Sequence, residues 1–187
     1  MGAVTTLPWG RALTRDDLHT MPDDGHRYEL VDGSLLVSPS PALRHQLAVK
    51  RLLRLLDDAS PPGLTVLSAP FDVVLSDRTV LQPDVLVARQ ADLTARELPA
   101  PPVLVVEVLS PSTRSIDQVL KYARYAEAGV DHYWIVDPDE ASLTAYRRRT
   151  NNLYEQIAHV VGDDAYRATE PFLILITPVS SAQSAES

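Results

Sequence analysis

The chain has no cysteine. That excludes disulfides, thiolate zinc sites and a thiol nucleophile, and it favours a reducing, cytoplasmic compartment. Glycine is scarce, at 7 of 187 residues, and no glycines have the spacing of a phosphate-cradling loop. A Gly-x-Ser-x-Gly nucleophile turn is missing, as is a histidine pair at zincin spacing. The apolar runs fall far short of the ~20 residues a membrane helix needs. The opening stretch, Met1 to Trp9, has no basic region followed by an apolar core, so no secretory signal is expected. Positive charge is also in deficit. Lys and Arg number 17 against 25 Asp and Glu, a formal net charge of −8. Such a chain does not coat nucleic acid by bulk charge. An enzyme that holds a phosphodiester through bound cations remains open, because such sites are acidic themselves.

What is present is the composition of a folded protein, with 45% hydrophobic and 22% charged residues. At roughly 150 residues per domain the length predicts one domain, and a chain this long buries a core without staples. The expected division is a flexible N-terminus over 1–13, one domain over 14–178 and a disordered tail over 179–187.

Thr14 caps a short helix that carries Asp16 and Asp17 in its first turn. Asp32-Gly33 between two strand-like runs marks a hairpin. A helix is predicted from Pro41 to Asp58, with Ala42, His45, Val49, Leu52, Leu53 and Leu56 on one face. Strand runs follow over Leu64 to Leu75 and Val80 to Ala88, then a polar loop from Arg89 to Pro102. Val103 to Leu109 is apolar on both alternating faces and reads as a buried central strand. A helix is expected from Ser115 to Ala128, ended by Gly129. Tyr133 to Val136 is a further buried strand. A β-meander follows, with strands at 143–147, 153–159 and 172–177. The class is mixed α/β or α+β around one central sheet.

Glu107 is the most informative residue, a carboxylate inside an apolar strand. Taking it out of water costs several kcal/mol unless it is paired or bound to a cation. The bland alternative is a structural ion pair. Asp84, after Pro83, opens another apolar strand, and two inward acids on adjacent strands suit Mg²⁺, which takes oxygen ligands. Glu29 is a third acid among apolar neighbours. Lys121 lies on the helix after Glu107, where it can orient water or offset phosphate charge. The bland reading there is a surface pair with Asp117 at i, i+4. His45 falls on the apolar face of its helix, as a satisfied core residue or as a partner of Glu29 or a phosphate. Arg44, Lys50, Arg51 and Arg54, and the triplet Arg147-Arg148-Arg149, read as either phosphate contacts or solvated faces. Tyr122, Tyr125, Tyr133 and Trp134 are explained by core packing.

These residues, in this order, resemble a known family. Tyr28-Glu29-Leu30-Val31-Asp32-Gly33, His45, Pro83-Asp84-Val85, Val106-Glu107-Val108-Leu109-Ser110-Pro111-Ser112-Thr113, then Asp117, Lys121, Tyr122, Tyr125 and Tyr133-Trp134-Ile135-Val136-Asp137 are similar to the Uma-two family. These bacterial restriction-endonuclease-like proteins belong to the PD-(D/E)XK nuclease superfamily, and the resemblance spans about residues 14 to 178. It implies a restriction-endonuclease-like fold, a central mixed β-sheet flanked by helices, with an added N-terminal hairpin and the C-terminal meander. It implies Mg²⁺-dependent (or Mn²⁺-dependent) hydrolysis of DNA and a homodimer. Asp84 then matches the aspartate of the Pro-Asp motif, Glu107 the second metal-binding acid and Glu29 the early acid. The superfamily's lysine would follow Glu107 by two residues, where this chain has Leu109. A Glu-x-x-Ser pattern, Glu107 to Ser110, stands instead, and Lys121 is the candidate migrated lysine. His45, Ser110, Asp117 and Tyr125 are supporting residues. A catalytically silent or partner-dependent protein of the same fold is the rival reading. A third reading pairs Asp84 and Glu107 with arginines, far from each other.

Overall fold

The computed structural model of the chain describes the backbone of residues 10–110 and 116–178, and the side chains of all of these except 116–118. The expected tail over 179–187 and most of the expected N-terminal segment lie outside the described residues.

The first helix, α1 (Arg15–Leu18), starts where Thr14 predicts. Asp17 reaches back to the Thr14 backbone N–H at 2.8 Å, which satisfies one of the amides a helix start leaves open. Strands β1 (Arg27–Val31) and β2 (Ser34–Ser38) form the expected hairpin. Asp32 and Gly33 both have positive φ, 52° and 79°, as a two-residue hairpin turn of this hand requires. Gly33 has a second reason to be glycine. A Cβ there would stand 2.6 Å from the Ala12 Cβ and 3.0 Å from the Leu13 carbonyl oxygen. Gly33→Ala should therefore cost about 2–4 kcal/mol, from strain at positive φ together with overpacking. The shift of the urea unfolding midpoint measures it.

Helix α2 (Leu43–Ala59) buries His45, Ala48, Leu52 and Leu56, the face that its spacing predicts. After it the chain departs from expectation. The run expected as one strand from Leu64 to Leu75 is two, β3 (Leu64–Ser68) and β4 (Asp72–Ser76). The run from Val80 to Ala88 is also two, β5 (Thr79–Leu81) and β6 (Val85–Arg89). The breaks fall at Pro70 and Pro83, which offer no N–H to a ladder. At each break the chain leaves one sheet for another. The order β2-β1-β5-β4-β7 makes a five-stranded sheet, with β7 (Glu97–Leu98) lying in the stretch expected as loop.

The second sheet has six strands, ordered β11-β10-β9-β8-β6-β3. It contains β8 (Leu104–Val108), β9 (His132–Asp137), β10 (Ser142–Arg148) and β11 (Tyr154–Val161). Within it β8 and β9 run parallel and every other pair antiparallel, so the sheet is mixed. The first two strands of the expected meander, at 143–147 and 153–159, are β10 and β11 and pair antiparallel. The last expected strand instead pairs apart from them, as β13 (Ile174–Ile176) with β12 (Tyr166–Ala168). Between β8 and β9 the expected α-helix is π-helical over Ile116–Lys121, and only Tyr122–Ala128 is α-helix, here α3. Gly129 closes it at φ 94°.

The six-stranded sheet is apolar on both faces. Val106, Val108, Trp134 and Val136 pack toward α2. Val105, Leu109, Tyr133 and Ile135 pack toward α3, together with Val31 and Leu81 of the five-stranded sheet. The two sheets thus meet along one seam, and β1, β6 and β8 bring their ends to it. The tyrosines pack as expected: Tyr122 contacts Tyr133, Tyr146 and Tyr154 with ring centroids 4.9–5.9 Å apart.

Candidate active site at the seam of two sheets

Alternation along β1 sends Leu30 into one core and Glu29 and Val31 toward α3. Asp84 sits on the crossing from β5 to β6. Glu107 lies on β8, one position past the Val85–Val106 pair. Lys121 ends the π-helical stretch. All four are charged and at most 3% exposed, so their mutual contacts decide whether they can be there at all.

The contacts are close. The Lys121 ammonium lies 3.0 Å from Glu29 Oε1 and 3.4 Å from Glu107 Oε1. The Gln82 backbone N–H also donates to Glu29 Oε1, at 2.8 Å. Tyr125 stands four residues after Lys121, on the same face of the helix, and its hydroxyl donates to Glu107 Oε1 at 3.1 Å. Asp84 and Glu107 are tied through each other's strands. The Asp84 backbone N–H donates to Glu107 Oε2 at 3.4 Å, and the Val108 N–H donates to Asp84 Oδ2 at 2.8 Å. The His45 ring nitrogen Nε2 is 3.0 Å from Asp84 Oδ2. Ionised Asp84 only accepts, so Nε2 carries the hydrogen. His45 Nδ1 is buried with no hydrogen-bond partner among the described residues. Arg27 closes the group, donating from Nη1 to Asp84 Oδ1 at 3.0 Å and to the Gln82 carbonyl at 2.8 Å.

Electrostatics follow from this packing. Burial alone pushes the Asp84 carboxyl up. The hydrogen bond and charge of His45 and the charges of Arg27 and Lys121 outweigh it and hold the group at about 2. Burial and the negative charges of Glu107 and Glu29 push the Tyr125 hydroxyl well above its usual range, so it stays a donor. For Arg27, burial disfavours the charge, but Asp84, Glu29 and Glu107 more than restore it.

A depressed Asp84 contributes stability above its unfolded value of ~3.9, and that contribution is lost as pH falls from there through about 2. The expected loss is on the order of 2 kcal/mol. Urea midpoints against pH should show it in the wild type and not in Asp84→Asn.

The donor set suits a hard divalent cation in chemistry: three buried carboxylates, oxygen only, beside the Arg27 guanidinium and the Lys121 ammonium. Among the described residues no three acids or histidines are already gathered around a single point that could hold a metal ion. The Lys121 ammonium lies between Glu29 and Glu107.

The sequence expectations sort accordingly. Glu29, Asp84, Glu107, Lys121, His45 and Tyr125 come together. The surface-pair reading of Lys121 is excluded by its burial, while the Asp117 side chain lies outside the described residues. Ser110 lies two residues past the end of β8, half-buried. His45 meets Asp84, not Glu29. The reading that set Asp84 and Glu107 far apart is corrected by their shared amide contacts, though Asp84 does meet an arginine. Arg27 and Gln82 were not foreseen. Arg27 had a usable signal, since it is two residues from Glu29 on one strand and so shares its side. Gln82 acts through its backbone, which leaves no mark in a side-chain pattern. The triplet Arg147-Arg148-Arg149 is no open basic patch: its members pair with Glu170, Asp131 and Glu155. Arg44 and Arg54 pair with Asp139 and Asp58, on the solvated face of α2.

No curated protein matches the chain. A crystal structure from Anabaena variabilis ATCC 29413, described as "a putative nuclease belonging to DUF820", is similar in fold, with a TM-score of 0.74 at 17% identity over 90% of this chain and 97% of that one. The fold is thus that of the nuclease-like structures the sequence resembles. A family model, Uma2, described as "Putative restriction endonuclease", matches residues 15–178. That span holds every side chain at the seam, and the chain belongs to the Uma2 family.

Proposed function

We propose that this chain is a Mg²⁺-dependent endonuclease that hydrolyses DNA phosphodiester bonds, with Mn²⁺ as a substitute. The observation that carries the reading is the convergence of Glu29, Asp84 and Glu107 with Lys121, all buried, at one seam. Asp84 and Glu107 would hold the ion, with Glu29 as a further acid beside them. When bound, the ion would supply a lowered pKa for a water and polarisation of the phosphate. The chain's own groups do the rest. Tyr125 and the Asp84 backbone N–H fix Glu107. His45, Arg27 and the Val108 N–H fix Asp84 as an anion. Lys121 orients the attacking water or offsets charge gathering on the phosphate. Water oxygen bonds to phosphorus, the bond from phosphorus to a sugar oxygen breaks, and the sugar oxygen takes up a proton.

A homodimer belongs to the same reading, with apolar surface from Ile157 and Leu175 on the C-terminal strands and from Leu173 just before the last of them. Among the described residues no helix is long and apolar enough to cross a membrane.

One observation favours the rival reading, a silent or partner-dependent protein. Arg27 and Lys121 already sit against the acids. Plasmid nicking with Mg²⁺ or Mn²⁺, beside an EDTA control, separates the two. Metal-dependent nicking supports the nuclease. Calorimetric Mg²⁺ binding by the folded protein without nicking supports the rival.

A further inference from the structure

Two cavities open on the side of the seam where Arg27 lies. The first, about 470 Å³, is lined by Met21, Pro22, Arg27, Pro70 and Gln82 among others. The second, about 630 Å³, is lined by Thr94 and Arg96. They share His19 and Asp72 in their walls, so they adjoin.

Each cavity is lined by a guanidinium with N–H groups that bond nothing among the described residues. Arg27 uses only Nη1, on Asp84 and Gln82, and its Nε and Nη2 groups bond nothing among the described residues. The Arg96 side chain is exposed and has no partner among the described residues. The walls of the first cavity are apolar at Met21, Pro22 and Pro70. Three acids line the cavities: Asp23 in the first, Glu97 in the second, where it pairs with Arg15, and Asp72 in both, which accepts from Gln82 Nε2 at 2.8 Å. A carboxylate there repels a phosphate but accepts a hydrogen bond from the amino group of a base. Cations spaced along a groove, with apolar walls and an acceptor between, are the requirements of a strand whose bases are unpaired. A duplex keeps its base edges in its own grooves and would leave the walls unused.

We propose that the two cavities form one groove that binds single-stranded DNA leading away from the acid cluster, with Arg27 and Arg96 each on a backbone phosphate. Arg27 is then the link between groove and cluster, one edge on Asp84 and the other on the strand. The direction of the strand rests on the nuclease reading; the binding itself does not.

The test is fluorescence anisotropy of a labelled twelve-residue oligothymidylate, titrated in EDTA at several KCl concentrations. Each lost phosphate contact lowers the slope of log K against log salt by about 0.7 for a single strand. Arg96→Gln should show that drop, with several-fold weaker binding at low salt. Arg27→Gln should show it too. Arg54→Gln, on α2 and outside both cavities, should leave the slope unchanged. Arg96 is exposed, so its variant keeps the test valid if Arg27→Gln fails to fold. The groove is overturned if the wild type does not bind, if Arg96→Gln keeps the wild-type slope, or if a duplex of equal length binds more tightly. Arg96-dependent binding without any nicking in Mg²⁺ would keep the groove and remove the nuclease. Nicking without strand binding would do the reverse.

Discussion

Lys121→Met should destabilise the protein by about 3–5 kcal/mol in EDTA, and Mg²⁺ should restore part of that. The first half follows from burial. The ammonium is 3% exposed and lies within 3.0–3.4 Å of two carboxylates that are themselves buried. Removing one partner of a buried pair leaves an uncompensated charge, and the cost is of this size. Methionine keeps most of the volume, so little of the loss is cavity. The second half follows from linkage. Any ligand that binds the folded chain and not the unfolded one stabilises by RT ln(1 + [L]/Kd), about 2.7 kcal/mol at a hundredfold excess over Kd. Without Lys121 the acids lose a competitor for the ion, so the variant should gain more from Mg²⁺ than the wild type does. Thermal or urea unfolding with and without 10-fold steps in Mg²⁺ reads both halves. Equal destabilisation with no Mg²⁺ response would make Lys121 a structural counterion and Glu29 and Glu107 structural acids.

Glu107→Gln should leave a folded protein and reduce metal-dependent nicking on the order of 10³-fold, about 4 kcal/mol of barrier at 1.36 kcal/mol per tenfold. The amide retains an oxygen for the Tyr125 hydroxyl and the Lys121 ammonium, both donors to Oε1. It places an NH₂ where Oε2 accepts the Asp84 N–H, so a loss of about 1–2 kcal/mol in stability is expected from that mismatch. The activity loss must exceed what this stability loss explains. Circular dichroism and calorimetric Mg²⁺ titration beside the nicking assay make that comparison. Unchanged nicking would place the chemistry elsewhere in the chain.

The elements were legible where local signals were strong. The Asp32-Gly33 turn, the α2 face and the apolar run of β8 all follow from periodicity and turn chemistry. The acids were legible because a carboxylate in an apolar strand is costly, as at Glu107, or because it follows a proline at a strand start, as at Asp84. What was not legible was the division into two sheets. Pro70 and Pro83 mark breaks, but nothing near them says that the chain then joins another ladder. That choice is made by pairing with strands far along the sequence, such as Asp72 with Glu97. Arg27 was missed for the same reason: its partner Asp84 is 57 residues away. The π-helical stretch before Tyr122 has the sequence pattern of ordinary helix, since apolar spacing barely separates the two over six residues.

The seam also fixes when the chain can act. Glu29 comes from the five-stranded sheet, Glu107 from the six-stranded one, and Asp84 from the crossing between them. Lys121 is placed by a helix that comes after all three in the chain. A nascent chain that has made only the first hairpin and α2 holds one acid of the cluster, Glu29, and not yet Lys121. Assembly of the cluster is therefore a late event in synthesis, and it depends on both sheets having docked. A partly folded molecule would hold Glu29, Asp84, Glu107 and Lys121 apart, with no cluster formed.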